Sequence, residues 1–438
     1  MKLFAEGRID KVSGRRYLRI SLPTFIGLIL MILVLGILLW SASWRRDPKL
    51  LHIRDKGDLQ ALIPSIVGLT QGSMEGGNRI DLLQNGEFFT PMLRDIEAAR
   101  RSVHVEMFIW WEGALSQQLS QLLAKKAREG VEVRLLVDGS GGRKVSSVEK
   151  VMTDAGVSVA KFHPIRISNI SRLNNRDHRK IVVVDAHIAY IGGHGIGDEW
   201  TGNAQDQKHY RDTGLRIEGP LVNRLQSAFC ENWIEETGEV LAGERYFPRP
   251  VSPGTTAAHV AYTSPTGSVS SVQLLYYLAI EAAHKEVIIQ NPYLLPEYEA
   301  IAALERAVER GVKVTIMVPS VKATDNAIVQ HASHHRFGNL LKRGVRIWEY
   351  DKTLLHQKII IVDGLWSCVG STNFDARSFE LNDEISVGVV GPEIASQLKA
   401  AYENDLKDAK ERHFEEWRRR GLWHKAKDGL AYLANEQF

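Results

Sequence analysis

HRKIVVVD at His178–Asp185 and HQKIIIVD at His356–Asp363 are one pattern written twice, His-x-Lys-x4-Asp, with the two histidines 178 residues apart. Each copy runs into a small-residue turn, Gly192-Gly193 in the first and Gly370-Ser371 in the second. The β-branched runs Ile181–Val184 and Ile359–Val362 predict buried strands. Side chains alternate across a strand, so His178 shares a face with Lys180, and His356 with Lys358. Asp185 and Asp363 complete the catalytic signature. They sit at odd offsets from their histidines, at the strand ends, and this parity predicts that they brace the structure rather than touch a substrate.

A single His–Lys pair supplies one imidazole and one cation. Displacement at a phosphodiester needs a nucleophile and a proton donor for the leaving oxygen. It also needs positive charge around the phosphoryl oxygens. Two facing pairs supply two imidazoles and two ammonium groups, and this chemistry needs no metal and no cofactor. Each motif is followed by an acid on a later strand: Asp212, 34 residues after His178 in YRDTGLRI, and Glu384, 28 residues after His356 in NDEISVGV. A buried carboxylate on the far ring nitrogen fixes the tautomer of an imidazole and raises its basicity.

On these residues the chain resembles the phospholipase D superfamily. GGHGIGDEW and YRDTGLRIEGP after the first motif, and GSTNFDARSFELNDE after the second, are similar to bacterial cardiolipin synthases. The similarity runs from about Asn78 to the C-terminus. It implies a two-step transfer. One histidine attacks phosphorus to form a phosphatidyl-histidine; the other protonates the leaving alcohol and then deprotonates the acceptor. It implies orienting roles for Asp212 and Glu384, and phosphoryl binding by Lys180, Lys358 and Asn373. By the same resemblance His178 is the nucleophile and His356 the acid/base, an order the residues alone leave open. The first copy departs from the family pattern: Gly195 stands where the family usually has Asn, so one donor is lost unless His194 replaces it. The implied function is a membrane-anchored phosphatidyltransferase, a cardiolipin synthase that joins two phosphatidylglycerol molecules and releases glycerol. The rivals are a phospholipase D hydrolysing phospholipid to phosphatidic acid, a membrane-anchored nuclease of the same superfamily, and a non-catalytic lipid-binding scaffold. A net charge of +3 without an aromatic-basic groove signature argues against a nucleic-acid partner. Two intact motifs argue against the scaffold.

The flanking sequence repeats too. Ile96-Glu97-Ala98-Ala99 returns as Ile280-Glu281-Ala282-Ala283. A strand, a helix, a breaking glycine and a strand follow in both halves, with Gly130 and Gly311 as the breakers. The alternation predicts an α/β chain of two phospholipase D-type α/β/α sandwich repeats about a pseudo-twofold axis, with one half-site in each. The expected divisions are a basic segment at 1–19, a transmembrane helix at 20–44, a linker at 45–77 with an apolar patch at 59–69, the first repeat at 78–247, a Pro/Gly/Ser/Thr-rich inter-repeat linker at 248–270, and the second repeat at 271–438. Glu106 and Gln290 hold matching places in the repeats and are candidates to flank the site. GSGGRK at 139–144 lacks the spacing of a nucleotide loop and reads as a flexible turn. His331, His334 and His335 suggest a metal, but no acid or cysteine completes a set, so they read as a helix face near the site mouth. The tail from Glu411 alternates aromatic and basic residues, which suits either an anionic membrane surface or a docked terminal helix.

The chain has 438 residues, enough for two or three domains, with the 44% apolar and 24% charged content of an ordinary folded protein. Cys230 and Cys368 read as buried filler rather than a disulfide framework. From Ile20 to Trp44 there is no charge for 25 residues. As a helix that run is roughly 37 Å long, more than the ~30 Å hydrocarbon core. It predicts a single transmembrane pass with Trp40 and Trp44 at an interface, and the resemblance implies a bacterial inner membrane. Six basic residues precede it and five follow between Arg45 and Lys56, a slight bias toward a cytoplasmic N-terminus.

Overall fold

In the computed structural model the described residues are 7–9, 16–18, 21–43, 53, 58–164, 172, 174–265 and 270–432. They belong to two units, Met1–Lys49 and Leu50–Phe438. The first unit holds an antiparallel ladder of Gly7–Ile9 with Arg16–Leu18 and a helix at Leu22–Ser43. Leu22, Phe25 and Ile37 are among the exposed apolar side chains of that helix. Among the described residues no helix is long and apolar enough to cross a membrane, and the side chains of this one are described only through Ile37. Trp44, the side chain of Trp40, and most of the 1–19 and 45–57 segments lie outside the described residues.

The second unit is built on one continuous sheet of 15 strands. The first repeat contributes, in spatial order, Glu75–Gln84, Thr213–Glu218, Ile188–Gly192, Lys180–Val184, Ser102–Met107, Glu132–Asp138 and Ser158–Phe162. The second repeats that order with Thr256–Thr263, Glu384–Val390, Trp366–Gly370, Ile359–Val362, Glu286–Gln290, Lys313–Pro319 and Arg346–Tyr350. Ala409–Arg412 closes its outer edge. The halves join where Glu75–Gln84 pairs antiparallel with Thr256–Thr263. The 248–270 stretch therefore carries the seam strand rather than serving only as a linker. Its Pro, Gly and Ser residues hide an alternation that sends Ala258 and Val260 into the core.

Both motif strands are buried on both faces, which is why they read as unbroken β-branched runs. Ile181 and Val183 enter a core shared by the two repeats, while Val182 and Val184 enter the outer core of the first. In the second repeat Ile359 and Ile361 enter the shared core, and Ile360 and Val362 the outer one. Two matching helices, Val222–Thr237 and Pro392–Asp405, send Leu225 and Leu398 into the same shared core. The apolar patch expected in the 45–77 linker is a helix, Leu59–Leu69. Asp58 caps it, its Oδ1 accepting from the Ala61 N–H at 2.8 Å. It buries Leu59, Ile63, Ile66 and Val67 with Tyr276 and Tyr277, so it belongs to the second repeat's core.

Asp185 and Asp363 follow their strands in the left-handed region, at φ 53° and 54°. Asp tolerates that conformation better than most residues. Asp185 accepts from the main-chain N–H groups of Arg100, Arg101 and Ser102 at 2.7–2.9 Å. Asp363 accepts from His284, Lys285 and Glu286 at 2.7–2.9 Å. Each carboxylate thus pins the start of the strand beside its motif and stands away from the histidines. Cys230 and Cys368 are free and buried.

The tail docks on helix Ala327–Lys342 through Tyr432, which stacks on His335 at 4.5 Å and accepts from the Arg336 guanidinium. Leu422, Trp423 and Leu430 remain exposed. Removing one brace tests its role. Asp363→Ala strips three N–H groups of their acceptor and is expected to lower unfolding stability by about 2 kcal/mol. Denaturant titration reads that loss, while turnover of the folded fraction stays unchanged.

Candidate active site

Each motif histidine is fixed by main-chain bonds to the other repeat. The His178 N–H donates to the Asp383 carbonyl at 2.9 Å, and the Asp383 N–H returns to Arg176 at 2.9 Å. The His356 N–H donates to the Arg211 carbonyl at 2.8 Å, and the Arg211 N–H returns to Leu354 at 2.9 Å. These bonds carry the residue after each partner, Glu384 or Asp212, into the opposite half-site. The His178 Nδ1 lies 2.9 and 3.1 Å from the two Glu384 carboxylate oxygens. The His356 Nδ1 lies 2.8 Å from Asp212 Oδ2. In sequence Asp212 follows His178 and Glu384 follows His356; in the fold the acids are exchanged. Neither repeat contains a complete His–carboxylate pair.

The lysines fold back on their own motifs. Lys180 Nζ donates to the His178 carbonyl at 2.6 Å and lies 5.4 Å over the Phe108 ring. Lys358 Nζ donates to the His356 carbonyl at 2.7 Å and sits 3.0 Å from the His356 Nε2. Burial lowers Lys180 to about 8, with Glu384 opposing the shift. Burial lowers Lys358 to about 7; Asp212 opposes, and repulsion from Lys180 adds to it. Burial lowers both histidines to about 4. At His178 Glu384 opposes the shift most, whereas at His356 Lys358 reinforces it. Burial alone would push both carboxyls up. His194, His356 and Lys358 instead hold Asp212 well below the usual carboxylate range, and His178, Lys180 and Ser371 hold Glu384 down. The resting site therefore holds two neutral imidazoles, two carboxylates, and two lysines near their titration points.

Small residues make room for this arrangement. A side chain at Gly193 would collide with the Asp212 carboxylate. At the matching place in the second repeat Ser371 donates its hydroxyl to Glu384. At Gly195 a Cβ would lie 3.0 Å from both Ile109 and the Trp200 ring, so the indole occupies that space. Trp200 Nε1 donates to Asp212 Oδ2 at 3.0 Å, and its ring stands edge-on to His356 at 5.3 Å. His194 does not replace a missing Asn. Its Nε2 bonds the Asn85 carbonyl at 2.9 Å and its ring stacks on Phe88 at 4.1 Å. Trp200 is the residue that reading the sequence missed. Its signal was a large aromatic five residues beyond the glycine that breaks the family pattern.

Asn373 is buried, and its Oδ1 has no partner among the described residues. Glu106 and Gln290 do match, but they lie a layer behind the histidines rather than flanking the opening. Glu106 accepts from Asn232 at 2.9 Å, and burial pushes it up to about 8 against the pull of Arg179. Gln290 donates to Gln357 and Asp405, both at 3.0 Å. The 139–144 loop is no open phosphate cradle, because the Ser140 and Gly141 N–H groups already donate to Asp138 at 2.7 and 2.9 Å.

The family model described as "Cardiolipin synthase, PLD-like domain" matches residues 92–233 and 276–406, one segment in each repeat. Cardiolipin synthase 2 of Staphylococcus epidermidis is 36% identical over 349 residues, covering 79% of this chain and 71% of that protein. Cardiolipin synthase 1 of the same species is 34% identical over 362 residues, covering 81% and 73%. The cardiolipin synthase of Staphylococcus aureus is 34% identical over 352 residues, covering 79% and 71%. Among solved structures, phosphatidylserine synthase from Haemophilus influenzae shares the fold at a TM-score of 0.61 and 14% identity, covering 82% of this chain and 95% of that one. Polyphosphate kinase from Porphyromonas gingivalis does so at 0.53 and 14%, covering 90% and 57%. With the family model matched in both repeats and relatives a third identical across most of both chains, the chain belongs to the phospholipase D-like cardiolipin synthase family.

Proposed function

We propose that this phospholipase D-type phosphatidyltransferase joins two phosphatidylglycerol molecules into cardiolipin and releases glycerol, by way of a phosphatidyl-histidine. The observation that supports the course of the reaction is the exchanged pair of His–carboxylate contacts. Glu384 takes the Nδ1–H of His178 and leaves the Nε2 lone pair free to attack phosphorus. At His356 the Lys358 Nζ crowds both ring nitrogens, 3.0 Å from Nε2 and 3.1 Å from Nδ1, which suits that imidazole poorly as nucleophile. When an anionic phosphoryl group engages Lys358, that ammonium's repulsion of a protonated His356 is relieved, and His356 takes up a proton from solvent on its Nε2. Asp212 then stabilises the imidazolium, and His356 protonates the departing glycerol oxygen as its P–O bond breaks. In the second step His356 takes the proton of the incoming phosphatidylglycerol hydroxyl. That oxygen bonds phosphorus, and the P–N bond to His178 breaks. Lys180 and Lys358 hold the phosphoryl oxygens, joined by the Asn373 amide. Burial of the histidines to 6–7% exposure restricts water, which favours transfer to an alcohol over hydrolysis.

The N-terminal helix is the proposed membrane anchor. Its support is the uncharged run from Ile20 to Trp44 and the exposed apolar side chains through Ile37. Substrate and product of the proposed reaction both reside in a bilayer.

Incubation of the purified full chain with phosphatidylglycerol vesicles, without added metal, is expected to give cardiolipin and glycerol in equal amounts. Phosphatidic acid as the sole lipid product would make the enzyme a hydrolase. His178→Ala and His356→Ala are each expected to slow turnover by at least about 10²–10⁴-fold. Mass mapping of His356→Ala should place a phosphatidyl adduct on the His178 peptide; an adduct on His356 in His178→Ala would reverse the assignment.

The pH profile follows from the lysines and histidines. Below about pH 4 His178 is protonated and cannot attack, so activity should be lost there. Lys358 must be cationic to receive the phosphate, so kcat/KM should fall as pH rises through about 7. Lys358→Arg keeps its charge and is expected to move that alkaline limb upward. Trp200→Phe keeps the ring and removes the bond to Asp212, so kcat should fall roughly tenfold with little change in KM. In an Asp212→Asn background the same change should add nothing.

A further inference from the structure

His331, His334 and Asp428 form a cluster that the linear sequence concealed, because its acid lies 97 residues beyond the first histidine. His331 and His334 stand one turn apart on Ala327–Lys342 and share a face. That face packs against the C-terminal segments, with His334 edge-on to Trp417 at 5.0 Å. Asp428 belongs to the terminal helix Leu422–Tyr432 and is buried to 2% exposure. One nitrogen from each histidine and one Asp428 oxygen lie within 4.8 Å of one another.

The hydrogen bonds around the cluster leave the His334 Nδ1 free and join His331 Nδ1 to Asp428 Oδ1 through one proton that a metal ion would displace. His334 Nε2 lies 2.6 Å from Glu349 Oε1, and Glu349 is itself held by Arg412. A histidine that gives its Nε2–H to a carboxylate carries its lone pair on Nδ1. That Nδ1 faces Asp428 Oδ1 at 3.9 Å, two acceptors turned toward each other. His331 Nδ1 lies 2.9 Å from the same oxygen. Arg420 takes only the other Asp428 oxygen, at 2.6 Å. In a tetrahedral zinc site with bonds near 2.1 Å, ligand atoms stand roughly 3.4 Å apart. The 2.9 and 3.9 Å separations bracket that value. A carboxylate behind a ligating histidine is also the usual outer support of such a site. The His331 side chain is 25% exposed, so the cluster is reached from solvent.

We propose that His331, His334 and Asp428 bind one zinc-class divalent cation, which clasps the C-terminal helix onto Ala327–Lys342. The clasp is separate from phosphoryl transfer. It holds the helix with Leu422 and Trp423 facing outward.

The test uses the full chain in detergent, stripped with chelator, dialysed and titrated with zinc chloride. Zinc content is read by elemental mass spectrometry and affinity by competition with a chromophoric chelator. One zinc per chain is expected, weakened more than about 100-fold in His331→Ala and in Asp428→Asn. His178→Ala should keep the full stoichiometry, which separates the clasp from the catalytic histidines. Zinc should also slow proteolytic removal of the terminal helix in the parent chain and not in the two variants. Asp428→Asn preserves side-chain volume, so it reports even if His331→Ala folds poorly. No stoichiometric zinc in the parent chain, or equal binding in both variants, overturns the proposal.

Discussion

A carboxylate with no exposure to water is tolerable only beside a partner that carries or shares its charge. Asp212 and Glu384 are both completely buried, and each finds its histidine in the other repeat. The rest of the catalytic unit follows from that exchange. The seam between Glu75–Gln84 and Thr256–Thr263 makes one sheet of the two halves. The shared core behind it closes over Ile181 and Leu215 from one half with Ile361 and Ile385 from the other. A repeat folding alone would bury one acid without its imidazole and leave one imidazole without its acid. Duplication here produced a single folding and catalytic unit.

The backbone symmetry is not matched by symmetry of charge. Behind His178 lie Glu106, Arg179 and Asp383, with Arg179 ion-paired to Asp383 at 3.5 Å. The corresponding layer behind His356 holds Gln290, Gln357 and Arg211, with Arg211 bonded to Asp405 at 2.9 Å. Trp200 donates to Asp212, whereas Ser371 donates to Glu384. In the proposed mechanism the two imidazoles do opposite jobs at one pH and need different surroundings. Residues one layer out differ between the repeats while the His–Lys motifs stay the same.

The phosphoryl subsite is poised rather than permanently charged. Desolvation brings both motif lysines down toward neutrality, and the charge of Lys180 adds to the lowering at Lys358. In the proposed reaction an arriving phosphodiester would supply the negative charge that restores their protons. Binding and activation of the histidine pair would then be linked through Lys358, which lies against His356.

The sequence by itself determined the half-sites. A strict period of two along Ile181–Val184 and Ile359–Val362 put each lysine on the face of its histidine, and put Asp185 and Asp363 off it. Spacing within one strand is a local property, so no tertiary knowledge was needed. The repeated helix–glycine–strand order made the α/β class and the duplication legible for the same reason. Only the tertiary structure decided the pairings that join distant segments. It crossed the acids between repeats, set Trp200 into the space at Gly195, turned the 248–270 stretch into a seam strand, and carried Asp428 to the histidines of Ala327–Lys342. Each of these joins residues whose spacing in the chain says nothing about their distance in space. They are fixed by burial and by the need to satisfy desolvated polar groups, which act only once the whole sheet has closed.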